Sequence, residues 1–240
     1  RDHRILGPQL DLFSFHQWAA APMWHPKGMT VRSQMFDYWR SKIKARKYVE
    51  ILNPMLYRKE LFECSGHWEH FKDDMFVFEG NDENTTYALK PMNCPDTMLF
   101  YKTKRRSYRE LPFRVAEGQF LHRNEVTGAL HGFMRTRTFS QDDAHIFVAP
   151  EHIQSEVSAL MDLIDEVYKA FQLEYNINLS TRPAEFLGTP AEWDQAEDAL
   201  KKALEATGRE FGIKEGDGAF YGPKIDVHIK DSLNREWQLA

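Results

Sequence analysis

Chemistry in this chain concentrates between Glu117 and Phe147, where EGQFLHRNEVTGALHGFMRTRTFSQDDAHIF holds Arg123, Glu125, Arg135, Phe139, Gln141, Asp143 and His145. A guanidinium meets phosphate oxygens through parallel hydrogen bonds, so Arg123 and Arg135, with Lys224 further on, suit a polyanionic phosphate. Glu125 can accept from an exocyclic amine and Phe139 offers a face for a base, which makes adenine recognition chemically reasonable. Cys94 and His145 are soft and borderline donors for Zn²⁺, a metal that takes three protein ligands where it also holds a substrate. Asp143 points the same way as His145 in an extended strand. Plainer readings stand beside these. A solvated sheet face carries Gln, Asp and His, and a lone cysteine between Pro91 and Pro95 serves as a packed small residue.

These residues need elements to hold them. Period-two stretches, Gln119–Val126 and Arg137–Val148, predict two antiparallel strands joined by a long loop with Gly128, His131, Gly132 and Arg135. Alternation in the second strand puts Arg137, Phe139, Gln141, Asp143, His145 and Phe147 on one face. Upstream, residues 1–29 are broken by Pro8, Pro22, Pro26 and Gly28 and predict a leader of short strands and turns. Thr30 is placed to cap an amphipathic helix with Val31, Met35, Tyr38 or Trp39 and Ile43 at helical spacing, running into the strand YVEILNP. Lys59–Ser65 reads as a helix closing on Gly66, and residues 74–78 and 86–90 as strands around GNDENT. LKPMNCP then carries Met92 and Cys94 to a strand end, and a helix over 96–106 runs into KTKRRSYR, a solvated helix end or a phosphate contact. Downstream, Pro150 opens a long helix whose apolar face is Ile153, Val157, Leu160, Ile164, Val167 and Phe171. A strand over 175–180, a helix over 190–207 stopped by Gly208, a glycine-punctuated turn into KIDVHI, and an alternating REWQLA complete the pattern.

Composition bounds the function classes. With 240 residues, 42% hydrophobic and 13% aromatic, the chain can bury one sizeable core and is expected to be one domain. A net charge of −5 and a pI near 6.1 give no global sign of nucleic-acid binding, so such a role must rest on a local patch. Two cysteines make no disulfide framework, and a reducing compartment is the default. No apolar run approaches the ~18 residues needed to cross a bilayer, and RDHRILGPQL lacks a signal-peptide core, so the cytoplasm or a mitochondrial matrix is expected. There is no P-loop and no Gly-x-Gly-x-x-Gly, so ATP would bind on an antiparallel sheet; the absence of Gly-x-Ser-x-Gly and His-Glu-x-x-His weakens simple hydrolase readings.

FLHRNE followed by GFMRTRTFSQDDAHIF resembles motif 2 of the class II aminoacyl-tRNA synthetases, and with GHW, LKPMNCP, LSTRP and GAFYGPKI it is similar to the threonyl-specific branch of that family. The resemblance implies an α+β fold, a mostly antiparallel sheet flanked by helices. Residues 1–29 would be a leader and 30–240 the catalytic domain, with motif 1 over about 30–54 forming a homodimer interface and motif 2 over about 117–147. It implies ATP-dependent activation of threonine and its transfer to tRNA(Thr), with Mg²⁺ and Zn²⁺ as cofactors. By the same resemblance, Arg123 holds the α-phosphate, Glu125 reads the adenine amino group, Phe139 stacks on adenine and Arg135 contacts the distal phosphates. Cys94 and His145 ligate zinc, Asp143 accepts from the threonine hydroxyl, and Met92, Gln141, Tyr221 and Gln238 line the pocket. Lys224 helps neutralise carboxylate and α-phosphate, and His67 of GHW lies near the terminal ribose of the tRNA.

Departures from the family pattern set further expectations. Asp96 and Thr97 stand where the family has Gly-His after NCP. Motif 3 and the third zinc ligand lie outside these residues, so the 240-residue piece by itself is expected to be inactive. A non-catalytic synthetase-derived binding or regulatory module, or a seryl- or prolyl-type synthetase, remains the alternative; the latter leaves Cys94 and His145 unexplained.

Overall fold

A computed structural model describes residues 2–82, 84–231 and 234–240. The chain forms two compact units, one reaching to Phe147 and one starting at Val148.

In the first unit the leader is not only strands and turns. Asp2 caps a helix α1 (His3–Gln9) by accepting from the Arg4 N–H, and a short antiparallel pair β1 (Phe13–Ser14) and β2 (Met23–Trp24) follows. Helix α2 (Pro26–Ala45) starts four residues before Thr30, because Pro26 at its first turn presets the backbone and has no N–H to satisfy. His25, just ahead of it, bridges Asp11 at 2.7 Å and Ser14 Oγ at 2.9 Å, which pins the helix start to the leader. Of the apolar stripe expected on α2, Ile43 is buried while Val31 and Met35 stay about half exposed.

The strand β3 (Val49–Glu50) is shorter than YVEILNP predicts, and β4 (Leu56–Arg58) leads into α3 (Lys59–Cys64). Gly66, at φ 78°, turns the chain from α3 straight into α4 (His67–Phe71), a left-handed position that disfavours a side chain. β5 (Val77–Glu79) starts later than residue 74, since Lys72–Asp74 is a 3₁₀ turn, and pairs with β6 (Thr86–Leu89). Cys94 is not at a strand end: it opens α5 (Cys94–Lys102), with Pro95 in the first turn. That helix stops at Lys102, so most of the basic cluster lies beyond it, and Arg106 folds inward 4.2 Å over the Phe113 ring.

The largest departure concerns the second strand of the motif 2 hairpin. Continuity from Arg137 to Val148 is broken at Gln141 and Asp142, giving β9 (Thr138–Ser140) and β10 (Asp143–Phe147) in different sheets. After β7 (Phe113–Glu117), β8 (Phe120–His122) pairs with β9, whereas β10 pairs antiparallel with β7, which in turn runs parallel to β3. β8 ends before Arg123 and Glu125, so both sit on the loop rather than in a strand.

The second unit follows the sequence closely. Its long helix α6 (Ile153–Ala170) comes after a 3₁₀ turn at Pro150–His152. Its buried stripe is Val157, Met161, Ile164 and Tyr168, rotated from the predicted one; Leu160 and Phe171 are exposed. β11 (Tyr175–Ser180) is followed by α7 (Pro190–Ala206), which carries a complete Thr189/Glu192 capping box and stops where Gly208 takes φ 68°. β12 (Gly212–Lys214), β13 (Lys224–Lys230) and β14 (Glu236–Gln238) complete a sheet in the order β12-β11-β13-β14. Ile177, Leu179, Ile225, Val227 and Ile229 turn one face of it onto the helices, leaving Ser180, Lys224, Asp226 and His228 for the other.

Candidate active site

In the first unit, Arg123 leaves β8 with its N–H on the Arg137 carbonyl at 2.9 Å. Its Nε donates to the Pro91 carbonyl at 3.2 Å, and its guanidinium lies 5.1 Å from the Phe139 ring centre and 5.6 Å from that of Phe71. Phe139 and Arg123 are thus direct neighbours. Across the loop, Arg135 donates to Glu125 Oε2 through Nε and Nη2, both at 2.9 Å. The two side chains assigned to adenine and distal phosphates hold each other. Arg137, to which the sequence assigned no role, donates to the Glu125 carbonyl at 3.0 Å and to Thr127 Oγ1 at 3.1 Å, fixing the loop's near end.

The far end of the loop is fixed by the leader. Phe133 N–H donates to His3 Nε2 at 3.0 Å, Thr136 Oγ1 to the Ala20 carbonyl at 3.1 Å, and Phe133 packs edge-on to Phe13 at 4.4 Å. Gly132 is required there. It takes φ 58°, and a Cβ would come within 2.2 Å of His3 Nε2.

A second group gathers on β10 and the start of α5. Direct pairing sets Asp143 opposite Glu117 and His145 opposite Val115 on one face of the β7/β10 ladder. Asn93 Nδ2 donates to Asp143 Oδ2 at 2.8 Å, and nothing in the sequence pointed to Asn93. Burial pushes the Cys94 thiol up to about 11, with the Asp143 carboxylate adding to the rise. Burial also holds the His145 imidazole below its ordinary range, against the pull of Asp143 and Glu117, so it stays neutral with a lone pair available. Both donors feel Asp143. Among the described residues, however, no three His, Cys, Asp or Glu side chains come together as a metal-binding set. Cys94 and His145 fit zinc as a pair needing a further donor, and Met92 and Gln141 flank them in sequence, Gln141 exposed between β9 and β10.

Behind this group lies a fully buried ionic cluster. Lys90 Nζ donates to Asp96 Oδ2 at 2.6 Å and to Glu117 Oε1 at 3.1 Å; Tyr57 OH donates to Asp96, and Asn53 to Glu117 through its backbone and side-chain N–H groups. Two carboxylates share one ammonium, and burial lifts Asp96 to about 6. Asp96, the residue that departs from the family pattern, is therefore committed to Lys90. His67 is also buried at the start of α4, 3.0 Å from Ser65 Oγ, and burial lowers its pKa.

In the second unit Lys224 Nζ lies 2.6 Å from Asp226 and 3.8 Å from Asp217, and Gln238 Nε2 donates to Asp226 at 2.7 Å. Tyr221 is exposed, its ring edge-on to Phe220 at 5.1 Å. Lys224 and Gln238 therefore meet on one carboxylate, that of a residue marked in the sequence only by its strand position.

An arginine and a phenylalanine in cation–π contact beside the β8/β9 pair, with a partly buried Cys/Asp/His group in the same unit, form the candidate site. Residues 76–240 match the tRNA synthetase class II core domain family (G, H, P, S and T). The chain belongs to that family. A threonine--tRNA ligase of Desulfosudis oleivorans is 51% identical over 239 residues, 99% of this chain and 37% of that protein. The RNA binding domain of threonyl-tRNA synthetase from Cryptosporidium parvum Iowa II superposes with a TM-score of 0.95 at 43% identity, covering 99% of this chain and 60% of that one. A Giardia lamblia prolyl-tRNA synthetase, at 18% identity and a TM-score of 0.61 over 68% of the chain, shares the fold alone. The chain spans 37% of the length of the curated relatives it matches. These likenesses and the mixed sheets and helices bear out the expected α+β synthetase fold. Among the described residues no helix is long and apolar enough to cross a membrane.

Proposed function

We propose that this chain is the catalytic core of a threonine–tRNA ligase, which joins threonine to the α-phosphorus of ATP and passes the threonyl group to tRNA(Thr). The observation that carries the reading is the Cys94/Asp143/His145 group beside the Arg123–Phe139 pair, in a chain about half identical to threonine--tRNA ligases over 99% of its length. In the first step a threonine carboxylate oxygen attacks the α-phosphorus in line and pyrophosphate leaves, giving threonyl-adenylate. Arg123 bears on the α-phosphate while Phe139 stacks on the adenine, the charge contact offsetting the negative charge of the transferring group. Arg135 and Glu125 open from one another, Arg135 toward the distal phosphates and Glu125 toward the adenine amino group. Lys224 offsets charge on carboxylate and phosphate. Met92 and Gln141 serve threonine recognition within the first unit, Tyr221 and Gln238 are the threonine-contacting residues of the second, and His67 serves the later transfer to the tRNA ribose. Such catalysis is mainly positioning and electrostatics, so it needs no strong general base.

Cys94 and His145 would hold zinc, which when bound supplies Lewis-acid contacts to the substrate amino and hydroxyl groups, and Asp143, oriented by Asn93, would accept from that hydroxyl. Mg²⁺ with ATP would offset phosphate charge. The half-exposed Val31 and Met35 of α2, with the exposed Leu52 after β3, support motif 1 as a homodimer surface, and the work of such an enzyme belongs in the cytoplasm. The test is threonine-dependent ATP–pyrophosphate exchange by the intact protein. Arg123→Ala should lower its rate by orders of magnitude, whereas His67→Ala should spare it and slow single-turnover transfer; the reverse pattern would refute these assignments.

A further inference from the structure

Asp226 is fully buried on the polar face of its sheet, where an unpaired carboxylate would be costly. It is saturated instead. Ser180 Oγ and Lys224 Nζ both donate to Oδ2 at 2.6 Å, and Gln238 Nε2 donates to Oδ1 at 2.7 Å. These donors come from three neighbouring strands, β11, β13 and β14, so one side chain ties their polar faces together. Strand alternation explains the geometry: Lys224 and Asp226 project from the same face of β13, and Ser180 stands directly opposite Lys224 across the ladder.

We infer that Asp226 is a positioning residue for adenylation, holding the Lys224 ammonium and the Gln238 amide in the attitudes in which they meet substrate. The inference rests on the reading of Lys224 and Gln238 as site residues. Lys224 is partly exposed, and a flexible four-carbon stem left to itself would sample many rotamers. Its second carboxylate neighbour, Asp217, is exposed and 3.8 Å away, so it offers a looser hold than the buried contact at 2.6 Å. Gln238 is held in a different way. Its amide has two chemically distinct ends, and donation to Asp226 fixes which end faces the carboxylate and leaves the carbonyl oxygen as the acceptor turned toward a ligand. Ser180, fully buried, sets the carboxylate plane itself, because its hydroxyl shares Oδ2 with the ammonium.

The test is a double-mutant cycle in the intact protein, read by threonine-dependent ATP–pyrophosphate exchange and by thermal melting. Asp226→Asn keeps the shape and removes the charge, and is expected to lower kcat/KM about tenfold or more, the effect of one charge-assisted hydrogen bond. Asp226→Glu, which keeps the charge, should recover part of the loss. In a Lys224→Met/Gln238→Ala background, Asp226→Asn should add little, because the carboxylate acts through those two side chains. Full additivity, or an Asp226→Asn protein with wild-type exchange, would overturn the inference while leaving the ligase reading intact. Absence of threonine-dependent exchange in the wild-type protein would instead overturn the ligase reading. If Asp226→Asn does not fold, Ser180→Ala loosens the same carboxylate without changing charge; a smaller loss that vanishes in the Lys224→Met/Gln238→Ala background supports positioning, and one that persists there refutes it.

Discussion

Lys90, Asp96 and Glu117 pose the sharpest energetic problem at the level of single residues, since two buried carboxylates share one ammonium. Removing the cation leaves both uncompensated, so Lys90→Met should destabilise the protein by about 3–5 kcal/mol in urea unfolding. Asp96→Asn removes one of the two carboxylates instead, and its effect on stability should depend on pH. The folded-state pKa of Asp96 is raised from 3.8 to about 6, so the folded state binds the proton more tightly and loses stability as pH rises through that window. The asparagine variant should therefore gain on wild type as pH rises from 3.8 to about 6 and keep that gain above it. A gap that does not change with pH would contradict the assignment. The residue types proposed to touch substrate were legible in the sequence, because Arg, Cys, His and Asp declare their chemistry. Their supports were not: Asn93 reaches Asp143 and Glu117 reaches Asn53 across long stretches of chain, so only folding reveals them.

At the scale of elements, legibility followed how local the deciding signal was. The capping box at Thr189/Glu192 and the stop at Gly208 lie within a few residues of the helix they bound, and α7 came out as read. The stripe on α6 did not, since Leu160 and Met161 are both apolar and the neighbours Ile177, Leu179 and Leu204 select Met161. The split between β9 and β10 was equally hidden, because β7 claims Asp143–Phe147 from a distance while the alternation runs on unbroken. The leader's grip on the motif 2 loop gives a prediction of its own. Gly132→Ala meets both an unfavourable φ and His3, so it should cost about 1–3 kcal/mol and, by loosening Arg135, raise the KM for ATP several-fold. An unchanged KM with the expected loss of stability would separate the loop's fold from its function.

For the whole molecule, the exposed Val31, Met35 and Leu52 predict that the intact protein sediments as a dimer at micromolar concentration and that Met35→Glu shifts it toward monomer. Threonine selection is the claim on which the account turns, and it rests on the Cys94/Asp143/His145 group. A site built to meet a hydroxyl rejects an isostere lacking it by ~10⁴ or more, whereas loss of a methyl group costs only roughly 1–3 kcal/mol. The direct measurement is ATP–pyrophosphate exchange by the intact protein with threonine, serine and valine, compared as kcat/KM. Threonine should come first, serine below it by about 10- to 200-fold, and valine lower by about four orders of magnitude; comparable activation of valine and threonine would refute the hydroxyl-selecting role of this group.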